Sequence, residues 1–113
     1  MSGELKKVIV VLCTVSSEES KKICKDIIKS GYAACINKIP VGSYYLWDDK
    51  FCHDEEDLLI IKTIESQFDD LKEFIKARHS YALPEIISIP VENGSEDYLN
   101  WVRETVTSFK KSK

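Results

Sequence analysis

The sequence predicts an α+β domain, one sheet with helices packed against it, and three observations carry that expectation. Short, β-branched apolar runs recur at 7–14 (KVIVVLCT), 57–63 (DLLIIKT) and 85–89 (EIISI), as strands buried in a sheet require. Apolar residues then fall at helical spacing in three stretches: Ile23, Ile27 and Ile28; Phe68, Leu71, Phe74 and Ile75; and Leu99, Val102, Val106 and Phe109. The chain has 113 residues, 43% of them apolar, which suffices for one compact core. A single domain over 1–113 is therefore expected, with flexible ends at about 1–6 and 108–113.

The elements follow in order. The run at 7–14 is almost continuously apolar and reads as a central strand. Ser16 and Glu19 have the S-x-x-E form of a capping box, so a helix is expected over about 17–30, stopped by Gly31. A second strand covers 33–39 (AACINKI) and ends at Pro40; a third, aromatic strand covers 43–47 (SYYLW), with Pro40 and Gly42 marking a turn or bulge between them. Residues 48–50 suit a hairpin turn, and the acidic run 54–57 reads as a solvated approach to the strand at 57–63. Ser66 caps a second helix that ends near His79. Pro84 and Pro90 bracket the last strand, where a missing ladder donor matters least, and a helix covers 95–109. The order β-α-β-β-β-α-β-α contains the split βαβ unit of ferredoxin-like folds, with helices on one face of the sheet and an additional C-terminal helix. The other face and the aromatic strand need cover, which predicts self-association.

Composition narrows function. The 16 basic and 19 acidic residues are dispersed and sum to −3, so no basic stripe follows a phosphate backbone, and nucleic acid is not an expected partner. The first apolar run, 8–12, is far shorter than the ~20 residues of a membrane span or the core of a signal peptide, so no membrane association and a cytoplasmic location are expected. Only four glycines occur, and none forms a Gly-rich loop opening a helix; phosphate cradling and enzyme chemistry are unsupported. Cys13, Cys24, Cys35 and Cys52 make no C-x-x-C pair and read as free thiols in a chain whose core needs no staples.

Six stretches carry a family resemblance: Leu12-Cys13-Thr14; Ala33-Ala34-Cys35-Ile36-Asn37; Ser43-Tyr44-Tyr45-Leu46-Trp47; Ile61-Lys62-Thr63; His79-Ser80-Tyr81 with Pro84-Glu85-Ile86-Ile87; and Tyr98-Leu99-Asn100-Trp101. In order and spacing, over about 7–107, the chain resembles the CutA family of divalent-cation tolerance proteins. The resemblance implies a ferredoxin-like subunit, an antiparallel sheet extended across a homotrimer by edge-strand pairing, a cytoplasmic location, and tolerance of copper and other divalent metals; it implies no known catalysed reaction, and the chain is expected not to be an enzyme.

Cys13 and His79 are the candidate metal ligands, because a thiolate and an imidazole suit copper or zinc. By residue type alone, Cys13 reads first as a core thiol. The resemblance implies copper binding through the cysteine of Leu-Cys-Thr and two adjacent histidines before a Pro-Tyr step. Here Cys13, Arg78 and His79 hold those positions and Ser80 replaces the proline; Arg78 stays protonated and cannot ligate. Copper or another divalent metal is the implied ligand, none of them obligatory.

Lys62 and Glu85 interrupt apolar strands and read either as a structural ion pair or as the polar groups of an intersubunit pocket walled by Tyr45, Trp47 and Tyr81. His53 with Cys52, Asp54 and Glu55 reads as an incidental surface cluster. Tyr98, Trp101 and Thr105 form a packing stripe. Two functions follow: a non-enzymatic trimer for divalent metal binding and tolerance, or a PII-like small-molecule sensing or protein-interaction module acting at the intersubunit cleft.

Overall fold

The computed structural model describes the backbone of residues 6–111 and the side chains of 6–107. Of the ends expected to be flexible, 1–5 and 112–113 lie outside the described residues, as does the Phe109 side chain, whereas the backbone of 108–111 continues the last helix. The elements are β1 (Val8–Val15), α1 (Ser17–Lys29), β2 (Cys35–Trp47), β3 (Lys50–Ile64), α2 (Phe68–Arg78), β4 (Ile86–Pro90) and α3 (Glu96–Lys111), with a 3-10 turn at Glu65–Gln67 ahead of α2. The strands form one antiparallel sheet in the order β2-β3-β1-β4. The ferredoxin-like α+β plan expected from the sequence is the observed one, with several elements redrawn.

The two strands expected at 33–39 and 43–47 are a single strand, β2, running through Pro40 and Gly42. Its place at the sheet edge explains this, since an edge strand uses only one row of its backbone groups and tolerates the donor that proline lacks. Its partner β3 starts at Lys50, so the acidic run 54–57 lies within a strand. Half of that run is not solvated: Glu56 and Asp57 are each only 7% exposed. Asp57 accepts a hydrogen bond from the buried Ser20 hydroxyl at 2.6 Å and has the Lys38 ammonium 3.7 Å away, which ties β3 to α1.

Trp47 pairs with Lys50, leaving a two-residue loop in which Asp48 and Asp49 take φ of 53° and 63°. A tight hairpin demands this left-handed backbone because its twist matches the strands, and aspartate adopts it less readily than glycine. Asp49→Gly should therefore raise stability by about 0.5–1 kcal/mol in urea unfolding; an unchanged or lower midpoint would show that the turn stores no strain.

Helix ends are also redrawn. Ser16 makes no side-chain capping bond, and Glu19 instead accepts from the Ser80 backbone N–H at 3.3 Å. Ser66 falls in the 3-10 turn rather than at the cap of α2. Gly31, with φ 81°, does end α1, and the Tyr32 N–H reaches back to the Ile27 carbonyl.

Strand alternation divides the side chains into two layers. Ile9, Val11, Cys13, Leu59 and Ile61 point to one face and form the main core with Ile23 and Ile27 of α1 and Leu71 and Ile75 of α2. Val8 and Ile64, directly paired, point to the opposite face and are covered by Leu99, Val102 and Val106 of α3. Helices therefore sit on both faces, which corrects the one-face expectation: the apolar stripe of α3 has to cover the end of the second face. The rest of that face lacks cover in the single chain, with Ile39, Ile87 and Ile89 roughly half exposed.

Candidate functional site

β2 and β3 continue past the sheet as a long hairpin arm, and the chain measures 52 Å along its greatest extent. The arm carries large apolar side chains in water: Tyr44, Leu46 and Phe51 are 68%, 73% and 72% exposed. Tyr44 stacks on His53 with ring centroids 4.3 Å apart, and His53 lies 3.1 Å from Glu55, so the expected incidental cluster is a stacked, paired histidine.

A cleft of about 850 Å³ opens between this arm and the segment after α2. Tyr44, Tyr45, Leu46 and Trp47 form one wall, Tyr81, Ala82 and Leu83 the other, and Thr14, Glu56 and Glu85 also line it. Two phenols are anchored to carboxylates. Tyr81 donates to Glu56 at 2.9 Å, and Tyr45 donates to Asp54. The bond to Asp54 pushes the Tyr45 phenol up to about 12. Burial, helped by the bond to Glu56, raises Tyr81 as well.

Of the five residues expected to make a pocket, Tyr45, Trp47, Tyr81 and Glu85 line this cleft and Lys62 does not. Lys62 lies six residues along β3 from Glu56, about 20 Å at strand rise, and bonds to the Asn37 side chain. It is therefore not paired with Glu85. The sequence reading missed Asp54 and Glu56. Taking 50–64 as one strand would have found them, because alternation then puts both on the face of Leu58 and Thr14.

The Cys13 thiol is fully buried in β1, and burial, followed by the nearby negative Glu85, pushes it up to about 12. A metal ligand must be the thiolate, which this environment opposes. His79 follows α2, and its Nδ1 accepts the Tyr81 backbone N–H at 3.1 Å. The ring proton must then sit on Nε2, which donates to the Thr14 carbonyl at 2.8 Å. Both nitrogens are thereby spent on fixing the Tyr81 segment against β1. Arg78 turns away, stacking 3.6 Å over the Phe74 ring with its Nε 3.8 Å from Asp26. As folded, Cys13 and His79 do not suit a metal ion, and among the described residues no group of three or more His, Cys, Asp or Glu is placed to hold one. The four cysteines are free. Tyr98 and Trp101 pack at 5.6 Å between centroids on α3, both partly exposed.

Comparison with known proteins places this geometry. A family model described as "CutA1 divalent ion tolerance protein" matches residues 9–105. The "Divalent-cation tolerance protein CutA" of Thermus thermophilus is 43% identical over 97 residues, 84% of this chain and 94% of that protein. "Protein CutA 1, chloroplastic" of Oryza sativa is 43% identical over 86% of this chain, which spans only 56% of that longer relative. Among solved structures, the "Periplasmic divalent cation tolerance protein CutA" of Archaeoglobus fulgidus superposes with a TM-score of 0.85 at 35% identity, covering 88% of this chain and 98% of that one. The "PII-like protein CutA" of Nostoc sp. PCC 7120 does so with a TM-score of 0.83 at 28% identity, covering 87% and 96%.

These names correct one expectation. Relatives are described as periplasmic and as chloroplastic, so the resemblance does not carry the cytoplasmic location inferred from it. No helix among the described residues is long and apolar enough to cross a membrane. The six motifs in register, the split βαβ sheet and a match over nearly the whole chain agree: this chain belongs to the CutA1 divalent ion tolerance protein family.

Proposed function

We propose that the chain is a non-enzymatic, trimeric, PII-like module that senses or carries a small molecule in the cleft between the hairpin arm and residues 81–85. The cleft itself carries this reading: it is large enough for a small organic ligand, its walls are aromatic and aliphatic, and a few polar groups converge in it. The description of the Nostoc relative as PII-like supports it. Copper at Cys13 and His79 ranks below it, because a proton holds the sulfur and backbone groups hold both imidazole nitrogens. The divalent-cation tolerance for which the relatives are named would then depend on other donors, or on a ligand bound in the cleft.

The trimer rests on what the single chain leaves uncovered. Ile39, Ile87 and Ile89 on the second face and the aromatic arm form apolar surface that further copies of the same chain would bury, and β2 and β4 offer free edges to pair.

A thermal-shift screen of metabolite-sized compounds, alongside copper and zinc, tests the proposal. Sedimentation equilibrium at the same chain concentration should give a trimer, and at least one organic compound should raise the midpoint of the parent protein but not of Trp47→Ala. A screen in which only metals act, with their effect lost in a Cys13→Ser, His79→Gln double variant, would reverse the ranking.

A further inference from the structure

We propose that Asn93 is a site of spontaneous covalent modification, closing a succinimide with the Gly94 backbone nitrogen and opening to aspartate or isoaspartate, and that the isoaspartate form loosens the start of α3. The chain has three asparagines. Asn37 lies within β2 and accepts the Lys62 ammonium, and Asn100 lies within α3 and accepts a hydrogen bond from Arg103 at 2.8 Å; each precedes a bulky residue, Lys38 or Trp101. Asn93 differs on every count. It is exposed, lies in the irregular segment between β4 and α3, and is followed by glycine.

The Gly94 nitrogen is free to react. Among the described residues its N–H is paired with no backbone acceptor, whereas the amides after Asn37 and Asn100 are held in the regular backbone of a strand and a helix. With no Cβ at 94, that nitrogen can approach the Asn93 side-chain carbonyl carbon. A bond forms from the Gly94 nitrogen to Cγ, the Cγ–Nδ2 bond breaks, and ammonia leaves with the proton that the backbone nitrogen gives up. Water then opens the ring. Attack at Cγ breaks the new bond and yields aspartate; attack at the backbone carbonyl breaks the original peptide bond and yields isoaspartate, whose main chain runs through Cβ and Cγ. Water is the only co-reactant, and nothing is oxidised or reduced.

Packing requires the glycine. A Cβ at 94 would lie 3.3 Å from a Leu99 methyl, and Leu99 covers Val8 and Ile64 together with Val102 and Val106. The close approach that seats α3 therefore places after Asn93 the residue least able to shield it. The segment is also pinned at each end: the Val91 N–H donates to the Val8 carbonyl at 3.1 Å, and the Ser95 carbonyl accepts the Leu99 N–H at 2.9 Å in the first turn of α3. Isoaspartate lengthens the main chain by one carbon between these anchors, so one of them must give, and the seat of Leu99 with it. Aspartate keeps the chain length. Its charge joins those of Glu92, Glu96 and Asp97 but lies near the positive end of the helix, and the two effects offset.

Ageing the full chain in warm, mildly alkaline buffer tests this, with peptide mapping by mass spectrometry to locate conversion and an isoaspartate-specific methyltransferase to count the isomer. Asn93 should convert at least ~10-fold faster than Asn37 or Asn100, because those two must first leave a strand or a helix. The aged parent should then unfold at a lower urea concentration than fresh protein at the same chain concentration. Two variants should keep the midpoint of the fresh parent: aged Asn93→Gln, whose longer side chain has to close a larger, more slowly formed ring, and freshly made Asn93→Asp. Conversion at Asn93 no faster than at the other two asparagines would overturn the site. Isoaspartate at 93 with an unchanged midpoint, or an equal fall in aged Asn93→Gln or fresh Asn93→Asp, would overturn its consequence for α3.

Discussion

Leu59→Ala is expected to lower the stability of the fold by about 3–4 kcal/mol. Leu59 is fully buried in β3, paired with Cys13 of β1, and part of the core beneath α1 and α2. Truncation removes three carbons that had been transferred from water, and it leaves a cavity that cannot collapse, because both neighbouring strands are fixed by backbone ladders. Urea unfolding at a fixed chain concentration should show the loss as a lower midpoint with an unchanged slope. Fixing the concentration matters because association adds to apparent stability. A loss under about 1 kcal/mol would mean that the helices close over the gap, and that the core is looser than its burial indicates.

Leu59 was legible in the sequence, and the reason separates what could be read from what could not. The run 57–63 is apolar at Leu59 and Ile61, which lie beneath α1 and α2, and again at Leu58 and Ile60 on the second face, which α3 covers only at its end, and a run of that kind reads as a central strand whatever surrounds it. The same holds for the helical stripes at Leu71 and Ile75 and at Leu99, Val102 and Val106. What failed was the arm. Pro40 and Gly42 are turn formers by local preference, and only their edge position, a property of the whole sheet, lets β2 run through them. Reading a break there also shortened β3, which hid the alternation that places Asp54 and Glu56 in the cleft.

The polar site was harder still. Lys62 and Glu85 each stand beside an apolar run in the sequence, and nothing in a linear pattern says that one lies within β3 and bonds Asn37 while the other precedes β4 and lines a cleft. His79 shows the same limit in another form. A histidine near a cysteine-bearing strand suggests a metal, but the deciding facts are two backbone groups, Thr14 C=O and Tyr81 N–H, whose positions depend on how the segment after α2 folds back onto β1. Residue type gave the repertoire of His79, and geometry chose from it.

The second large effect is alkaline. Cys13 has its thiol raised from 9.0 to about 12 in the fold, chiefly by burial, whereas in the unfolded chain it titrates as an ordinary cysteine. Below pH 9 both states hold the proton and the group is neutral toward stability. Above pH 9 the unfolded chain releases its proton while the folded chain retains it, so ionisation favours unfolding, and stability is lost from pH 9 up to about 12. Over that window the loss approaches about 4 kcal/mol. Tyr45, Tyr81, Tyr98 and Cys24 are also shifted upward, so the total alkaline loss is larger than that from Cys13 alone. The difference between the parent protein and Cys13→Ala isolates the one group: urea unfolding from pH 8 to 11 should fall more steeply in the parent, with the two curves running parallel below pH 9. Curves parallel throughout would mean that the thiol ionises freely in the fold. That result would also return Cys13 to the list of available metal ligands, since a sulfur that gives up its proton at ordinary pH is what copper requires, and a sulfur held near 12 withholds it.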